Sequence, residues 1–317
     1  MTKALTQLEI LTELEPVAEQ TLNRHLSMAK EWHPHDYVPW NEGRNFAAMG
    51  GKDWEPEQSR LSEVAKVAMV TNLLTEDNLP SYHREIAENF SQDGVWGTWV
   101  GRWTAEENRH GIAIRDYLVV TRGVDPVALE QARMIHMTNG AQSPEDWGGF
   151  LENVAYVTFQ ELATRVSHRN TGKVCEDPVA DRLLQRIATD ENLHMIFYRT
   201  LCGAGLDLVP DQAMESITRI LTNFVMPGAG MPNFRRNGVI MAKHGIYDLR
   251  QHLDDVVNPV LKHWNIFERN DFGPEGEKAR DELAAFVDKL AVDVVKFEEQ
   301  RDRLLARQAA KGQLQST

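Results

Sequence analysis

The sequence predicts an all-α fold, one helical bundle with additional helices around it. Three observations carry that prediction. Apolar residues recur at helical spacing along most of the 317 residues. No stretch alternates apolar and polar residues between hairpin turns. The joins are mostly short, so successive helices pack antiparallel and no linker divides the chain. Residues 1–307 are expected to form a single domain, and 308–317 a flexible polar tail.

The first helix is expected from Met1 to Pro16, with Leu5, Leu8, Leu11 and Leu14 three apart. Leu61 to Phe90 is helical with an interruption at Pro80. The Pro80 ring lacks an N–H and clashes with the carbonyl four residues back, that of Glu76. Either a kink there or a fresh helix start at Pro80 satisfies this. Gly94 to Arg122 follows and ends at Gly123, and Pro126 opens a helix to Asn139. Gly140 to Gly149 is a loop. Phe150 to Asn170 is helical, and Asp177 with Pro178 starts a helix that reaches Cys202 and stops at Gly203. Pro210 starts another, Pro227 to Pro232 is a glycine-rich break, and Asp248 to His263 and Gly276 to Arg307 complete the set.

Composition narrows the function classes. The formal net charge is -13, and no dense Lys/Arg run offers nucleic acid a local foothold. Cys175 and Cys202 are the only cysteines, too few for a disulfide framework and wrongly spaced for zinc. With no signal-like start, the expected compartment is the reducing cytoplasm. No apolar run approaches the roughly eighteen residues of a transmembrane helix.

Two segments carry Glu-x-x-His on a helix, Glu107 to His110 and Glu191 to His194. An i,i+3 pair shares one helix face, so carboxylate and imidazole can reach one ion. A single such pair is common on solvated helices. The spacing makes it specific: Glu76 precedes Glu107 by 31 residues and Glu161 precedes Glu191 by 30. About fifteen residues up one helix and fifteen back return the chain to the same height. The same unit therefore occurs twice, and four helices offer four Glu and two His. That is the ligand set of ferritin-like di-iron carboxylate bundles. Four carboxylates neutralise two ferrous ions, and mixed O/N donors suit iron better than magnesium or calcium, with manganese a remaining alternative. No two histidines stand three or four apart, which removes the His-Glu-x-x-His protease reading.

Thr104-Ala105-Glu106-Glu107-Asn108-Arg109-His110-Gly111 resembles the signature of the plant-type soluble acyl-acyl-carrier-protein desaturases. Leu79-Pro80-Ser81-Tyr82, Thr158 to Glu161, Ser167 to Thr171 and Asp190 to His194 resemble it too. The similarity runs from about Pro16 to Glu299 and is closest to the actinobacterial branch. It implies that Glu76 and His110 bind one iron, Glu161 and His194 the other, and that Glu107 and Glu191 bridge them. Glu106 also stands in i,i+4 reach of His110, but the family motif puts the ligand at Glu107. Thr164 matches a threonine near the family's oxygen pocket; a helix-wall threonine is the alternative. Trp32-His33-Pro34-His35-Asp36-Tyr37-Val38-Pro39 resembles the family's Trp-x-Pro-x-Asp-Phe/Tyr-x-Pro segment. There the tryptophan, an Asp and a ligand His are thought to lead electrons inward, which maps onto Trp32, Asp190 and His110. Core packing is the other reading of Trp32. Leu193 stands where plant members carry Arg, which implies one ion pair fewer.

The resemblance implies oxygen-dependent insertion of a double bond into an acyl chain carried on acyl carrier protein. It also implies a ferredoxin-like electron donor and a homodimer. The acidic carrier needs a local basic patch, for which Arg235, Arg236, Lys243 and Lys262 are candidates, with Arg24 and Lys30 next. Two rivals share the ligand set. A radical-generating ribonucleotide reductase subunit needs a tyrosine beside the metal, with Tyr117 and Tyr156 as candidates. A ferritin-like iron store is a much shorter chain.

Overall fold

The computed structural model describes residues 4–140, 148–226, 228 and 230–315. Most of the loop expected at Gly140 to Gly149, together with Met1, Pro227 and Ala229, lies outside the described residues. The described residues form helices and turns with no strand.

Helix α1 (Gln7–Met28) opens on a capping box, in which Thr6 Oγ1 accepts from Glu9 N–H and the Glu9 carboxylate accepts from Thr6 N–H. It runs through Pro16, which the sequence placed at its end. The buried stripe Ile10, Leu14, Ala18, Leu22 continues past the proline, and Pro16 itself faces solvent, where water can take the freed carbonyl.

Four long helices form the bundle: α2 (Glu63–Asp77), then α4 (Gly94–Val120), α6 (Phe150–Val174) and α7 (Pro178–Leu208). Between the first two lies α3 (Leu79–Asn89). The interruption expected at Pro80 is a break at Asn78, with Pro80 in the first turn of α3, where its missing N–H costs nothing. The Tyr82 hydroxyl donates to the Thr75 carbonyl at 2.9 Å across the break. Helix α7 does not stop at Gly203. An added Cβ there would meet the Trp264 ring at 3.3 Å, so this glycine serves close packing and not helix termination.

Five further helices flank the bundle. They are α5 (Pro126–Asn139) on α2, α8 (Pro210–Thr222) on α6, and α9 (Phe234–Lys243) over α2, then α10 (Leu249–Gln251) and α11 (Asn258–His263) on either side of a π-helical turn, His252–Val257. Helix α12 (Pro274–Gln315) packs against α8. Its backbone continues through 308–315, where the composition predicts a frayed tail.

Two apolar clusters fill the interior. One includes Trp99, Trp103, Phe159 and Phe197; the other includes Met69, Ile114, Leu183 and Ile187. Along α4 and α7 the residues Glu107 to His110 and Glu191 to His194 fall between them. The long connection from α1 to α2 has little core of its own. Arg122, at positive φ, sends its buried guanidinium into it and donates to the carbonyls of Asn45, Lys52 and Asp53 and to Gln58 Oε1.

Candidate metal centre

The six residues singled out by spacing converge. Glu76 comes from α2, Glu107 and His110 from α4, Glu161 from α6, and Glu191 and His194 from α7. All six are buried. His110 Nδ1 lies 3.5 Å from Glu191 Oε1, 3.7 Å from Glu76 Oε2 and 3.8 Å from Glu107 Oε1. His194 Nδ1 lies 2.8 Å from Glu107 Oε1, 3.5 Å from Glu161 Oε2 and 3.8 Å from Glu191 Oε2. They form two sets of four, Glu76, Glu107, His110, Glu191 and Glu107, Glu161, Glu191, His194, each with its donor atoms within 4.8 Å of one another. Glu107 and Glu191 belong to both.

The donor atoms fit a cation and little else. Glu107 Oε1, His110 Nδ1, Glu161 Oε2, both Glu191 oxygens and His194 Nδ1 are buried without a hydrogen-bond partner. Each unpaired group of this kind costs about 1–3 kcal/mol, more when charged. Electrostatics agree. Burial and the neighbouring Glu161 charge push Glu107 up to about 8, and burial with Glu107 raises Glu191. Burial disfavours charge on His110, yet Asp190, Glu191 and Glu76 hold its pKa well up. Left to its own groups, the site gathers protons to separate four carboxylates. A cation there would do the same work and displace those protons.

Four of the six ligand candidates, Glu76, His110, Glu161 and His194, have a partner on the side away from the centre. His110 Nε2 lies 3.3 Å from Asp190 Oδ2, which also accepts from Trp32 Nε1 at 2.7 Å and Arg109 Nη2 at 2.8 Å; Arg186 pairs with the other oxygen. Burial raises the Asp190 pKa, but His110 and the arginine outweigh it and hold the group far below the usual carboxylate range. Trp32, Asp190 and His110 are thus in line, with the Trp32 ring stacked 6.3 Å from His110. Glu161 Oε1 accepts from Trp103 Nε1 at 2.9 Å. Glu76 Oε1 meets His168 Nε2 at 2.7 Å, and His110 and His168 outweigh burial to bring Glu76 to about 2. Glu106 does not turn to His110; its Oε2 meets His194 Nε2 at 2.9 Å.

Thr164 is buried one turn beyond Glu161 and donates back to the Glu161 carbonyl at 3.0 Å. It borders a cavity of about 90 Å³ with Thr71, Thr75, His168, Met241 and Tyr247. Tyr117 bonds Asp177 at 2.9 Å, outside both donor sets, and the Tyr156 hydroxyl faces the Val225 carbonyl. Two other tyrosines feel the centre: Tyr198, buried with its hydroxyl unpaired, has its pKa raised by burial and then by the Glu161 charge, and Tyr82 by burial with contributions from the Glu76 and Glu107 charges. Sequence reasoning missed Tyr198, Trp103, His25 and His168. Three of them carried a usable signal of helix face: His168 seven residues after Glu161, Trp103 four before Glu107 and Tyr198 four after His194.

A family model described as fatty acid desaturase matches residues 6–314. The chain belongs to the fatty acid desaturase family. The match exceeds the span from Pro16 to Glu299 over which the motifs carried the resemblance. A Mycobacterium tuberculosis protein named acyl-acyl-carrier-protein desaturase DesA1 is 59% identical over 318 residues, covering 98% of this chain and 94% of that protein. The chloroplastic stearoyl-acyl-carrier-protein 9-desaturase 5 of Arabidopsis thaliana is 28% identical over 326 residues, covering 96% of this chain and 80% of that one. The X-ray structure of the acyl-acyl-carrier-protein desaturase DesA2 from Mycobacterium tuberculosis superimposes with a TM-score of 0.70 at 33% identity, covering 86% of this chain and 99% of that one. The ferritin-like helical fold expected from the ligand pattern is therefore this desaturase's fold. Among the described residues no helix is long and apolar enough to cross a membrane.

Proposed function

We propose that this desaturase-family chain introduces a cis double bond into an acyl chain carried on acyl carrier protein, using O2 and two iron ions per chain. The observation that carries this reading is the pair of buried donor sets that share Glu107 and Glu191. Glu76 and His110 would hold one iron and Glu161 and His194 the other, with Glu107 and Glu191 between them. Bound iron would supply the oxygen chemistry that removes hydrogen from two adjacent methylenes, which no side chain here can do.

The protein's part is position and dryness. The apolar clusters on either side of the ligand residues keep water from the centre. Asp190 orients the His110 ring and joins it to Trp32, a route for electrons from a ferredoxin-like donor. Thr164 Oγ1 and His168 border the cavity beside the centre and can hold a proton or a water on that side. Helix α9 walls the same cavity through Phe234, Gly238 and Met241, while Arg235 and Arg236 on it are exposed. We read this face as the dock for the acidic carrier protein. Residues 1–307 act as one desaturase domain, and the protein works as a cytoplasmic homodimer.

The test is turnover of acyl carrier protein thioesters with ferredoxin, its reductase and O2, followed by mass spectrometry of the released acids. The expected product is two mass units lighter than the substrate. No such product from iron-loaded enzyme overturns the reading. Reversing Arg235 and Arg236 to Glu should raise the apparent KM for the carrier protein several-fold at low salt and flatten its salt dependence, with iron content unchanged. Sedimentation checks the dimer.

A further inference from the structure

Each of the two imidazoles at the centre is held from behind by a buried carboxylate, and only Asp190 has so far been given a role. The other is Glu106. Its Oε2 meets His194 Nε2 at 2.9 Å and His25 Nε2 at 3.0 Å, and its Oε1 pairs with Arg102. His25 belongs to α1, which supplies none of the six ligand candidates. It is 4% exposed, its ring stacks 5.7 Å from that of His194, and Trp99 closes on its edge at 5.1 Å.

The chemistry of these groups leaves one arrangement. An ionised carboxylate only accepts, so both imidazoles donate their Nε2–H to Glu106. Once a metal displaces the protons of the site, His194 offers it the Nδ1 lone pair, on the atom facing Glu107, Glu161 and Glu191. The opposite tautomer would set two lone pairs against each other at Glu106. Arg102 and His25 hold the Glu106 carboxylate on two sides, so its direction is fixed before any ligand arrives.

We propose that Glu106, clamped by Arg102 and by His25 of α1, is the positioning residue for His194, and that it governs the metal position of Glu161 and His194 while Asp190 governs that of Glu76 and His110. The proposal rests on the metal reading above. It brings α1 into the centre at one remove, because the donor direction of His194 depends on a side chain 169 positions earlier.

Titration of metal-free protein with Co2+, read by ligand-field absorption and calorimetry, tests it in the wild type and in Glu106→Ala, Glu106→Gln and His25→Phe, with helicity followed in parallel. Wild type should take two ions. Glu106→Ala should weaken one of them by about 10–100-fold and leave the other unchanged, the usual scale for losing such a partner. Glu106→Gln keeps an acceptor oxygen and should recover most of the loss, a rescue that mere core filling would not produce. His25→Phe should show a smaller loss at the same position. Two ions bound by Glu106→Ala as tightly as by wild type, or two weakened equally, overturn the proposal and leave the metal reading standing. Should Glu106→Ala fail to fold, His25→Phe decides: one weakened ion supports the proposal and unchanged binding overturns it. A wild type that takes up no Co2+ overturns the metal reading itself and the proposal with it.

Discussion

Glu76 stands in the last turn of α2, two residues before the helix breaks at Asn78, whereas Glu161 stands mid-way along α6, an unbroken helix of 25 residues. The two occupy equivalent places in a doubled ligand unit, and each half has an arginine-paired carboxylate behind its imidazole, yet the rest of their surroundings differ. Behind His110 are Asp190, Trp32, Arg109 and Arg186; behind His194 are Glu106, His25 and Arg102. Beside Glu76 is an imidazole, His168; beside Glu161 is an indole, Trp103. A repeat of ligand spacing therefore fixes where the donors stand and leaves open how each is held. One half has an aromatic link toward the first connection, and the other is anchored on α1.

The largest effect should come from the residues the halves share. Glu107→Ala or Glu191→Ala should lose both metals together, taking iron from about two per chain toward zero and abolishing desaturation. Metal analysis after gel filtration checks this; retention of one full iron would mean that the shared carboxylate is not shared. Next is the asymmetry. Asp190→Ala should weaken one ion by about 10–100-fold and slow reduction of the centre, because it also severs Trp32 from His110. Stopped-flow reduction by a chemical donor beside reduction by ferredoxin separates the two losses.

A third imidazole sharpens the contrast. His252 is partly buried, stacked 5.1 Å from the Phe224 ring and 2.9 Å from the Tyr247 hydroxyl, and burial lowers its pKa to about 4. Its folded-state pKa lies below the unfolded value of about 6.5. Above pH 6.5 both states are neutral and nothing is lost. As pH falls toward 4 the unfolded chain takes the proton first, so stability drops. His252→Gln should flatten this acid limb by about 1–2 kcal/mol at pH 5, seen in urea midpoints. The smallest effect concerns the broken helix. Tyr82→Phe removes the bond to the Thr75 carbonyl and should cost about 1 kcal/mol with both irons retained. Loss of the iron near Glu76 alone would show that the break, and not its neighbours, sets that carboxylate.

The convergence of the six ligand candidates was legible because their geometry is local. An i,i+3 pair and a thirty-residue return are written in one helix and its neighbour. Asp190 and Trp32 were readable only through the segments they share with the family. The partners of His25 and Trp103 were not readable: His25 reaches its carboxylate from α1, which the spacing does not address, and Trp103, though on α4, reaches across to a carboxylate on α6. Helix ends at Pro16 and Gly203 were misread for a related reason. Local breakers predicted stops, and tertiary packing overruled them: a buried stripe that runs on past Pro16, and the Trp264 ring against Gly203.

The Arg122 guanidinium reads main-chain oxygens at Asn45, Lys52 and Asp53. Every residue type presents the same carbonyl, so these three contacts are indifferent to side chain, whereas the Gln58 Oε1 that also accepts from Arg122 and the Phe46 ring 4.2 Å from the guanidinium are not. Away from the side chains that bind, substitutions along the segment should alter its surface chemistry more than its path. Part of the information that places the stretch around Asn45 to Asp53 is thus stored far along the chain, at Arg122.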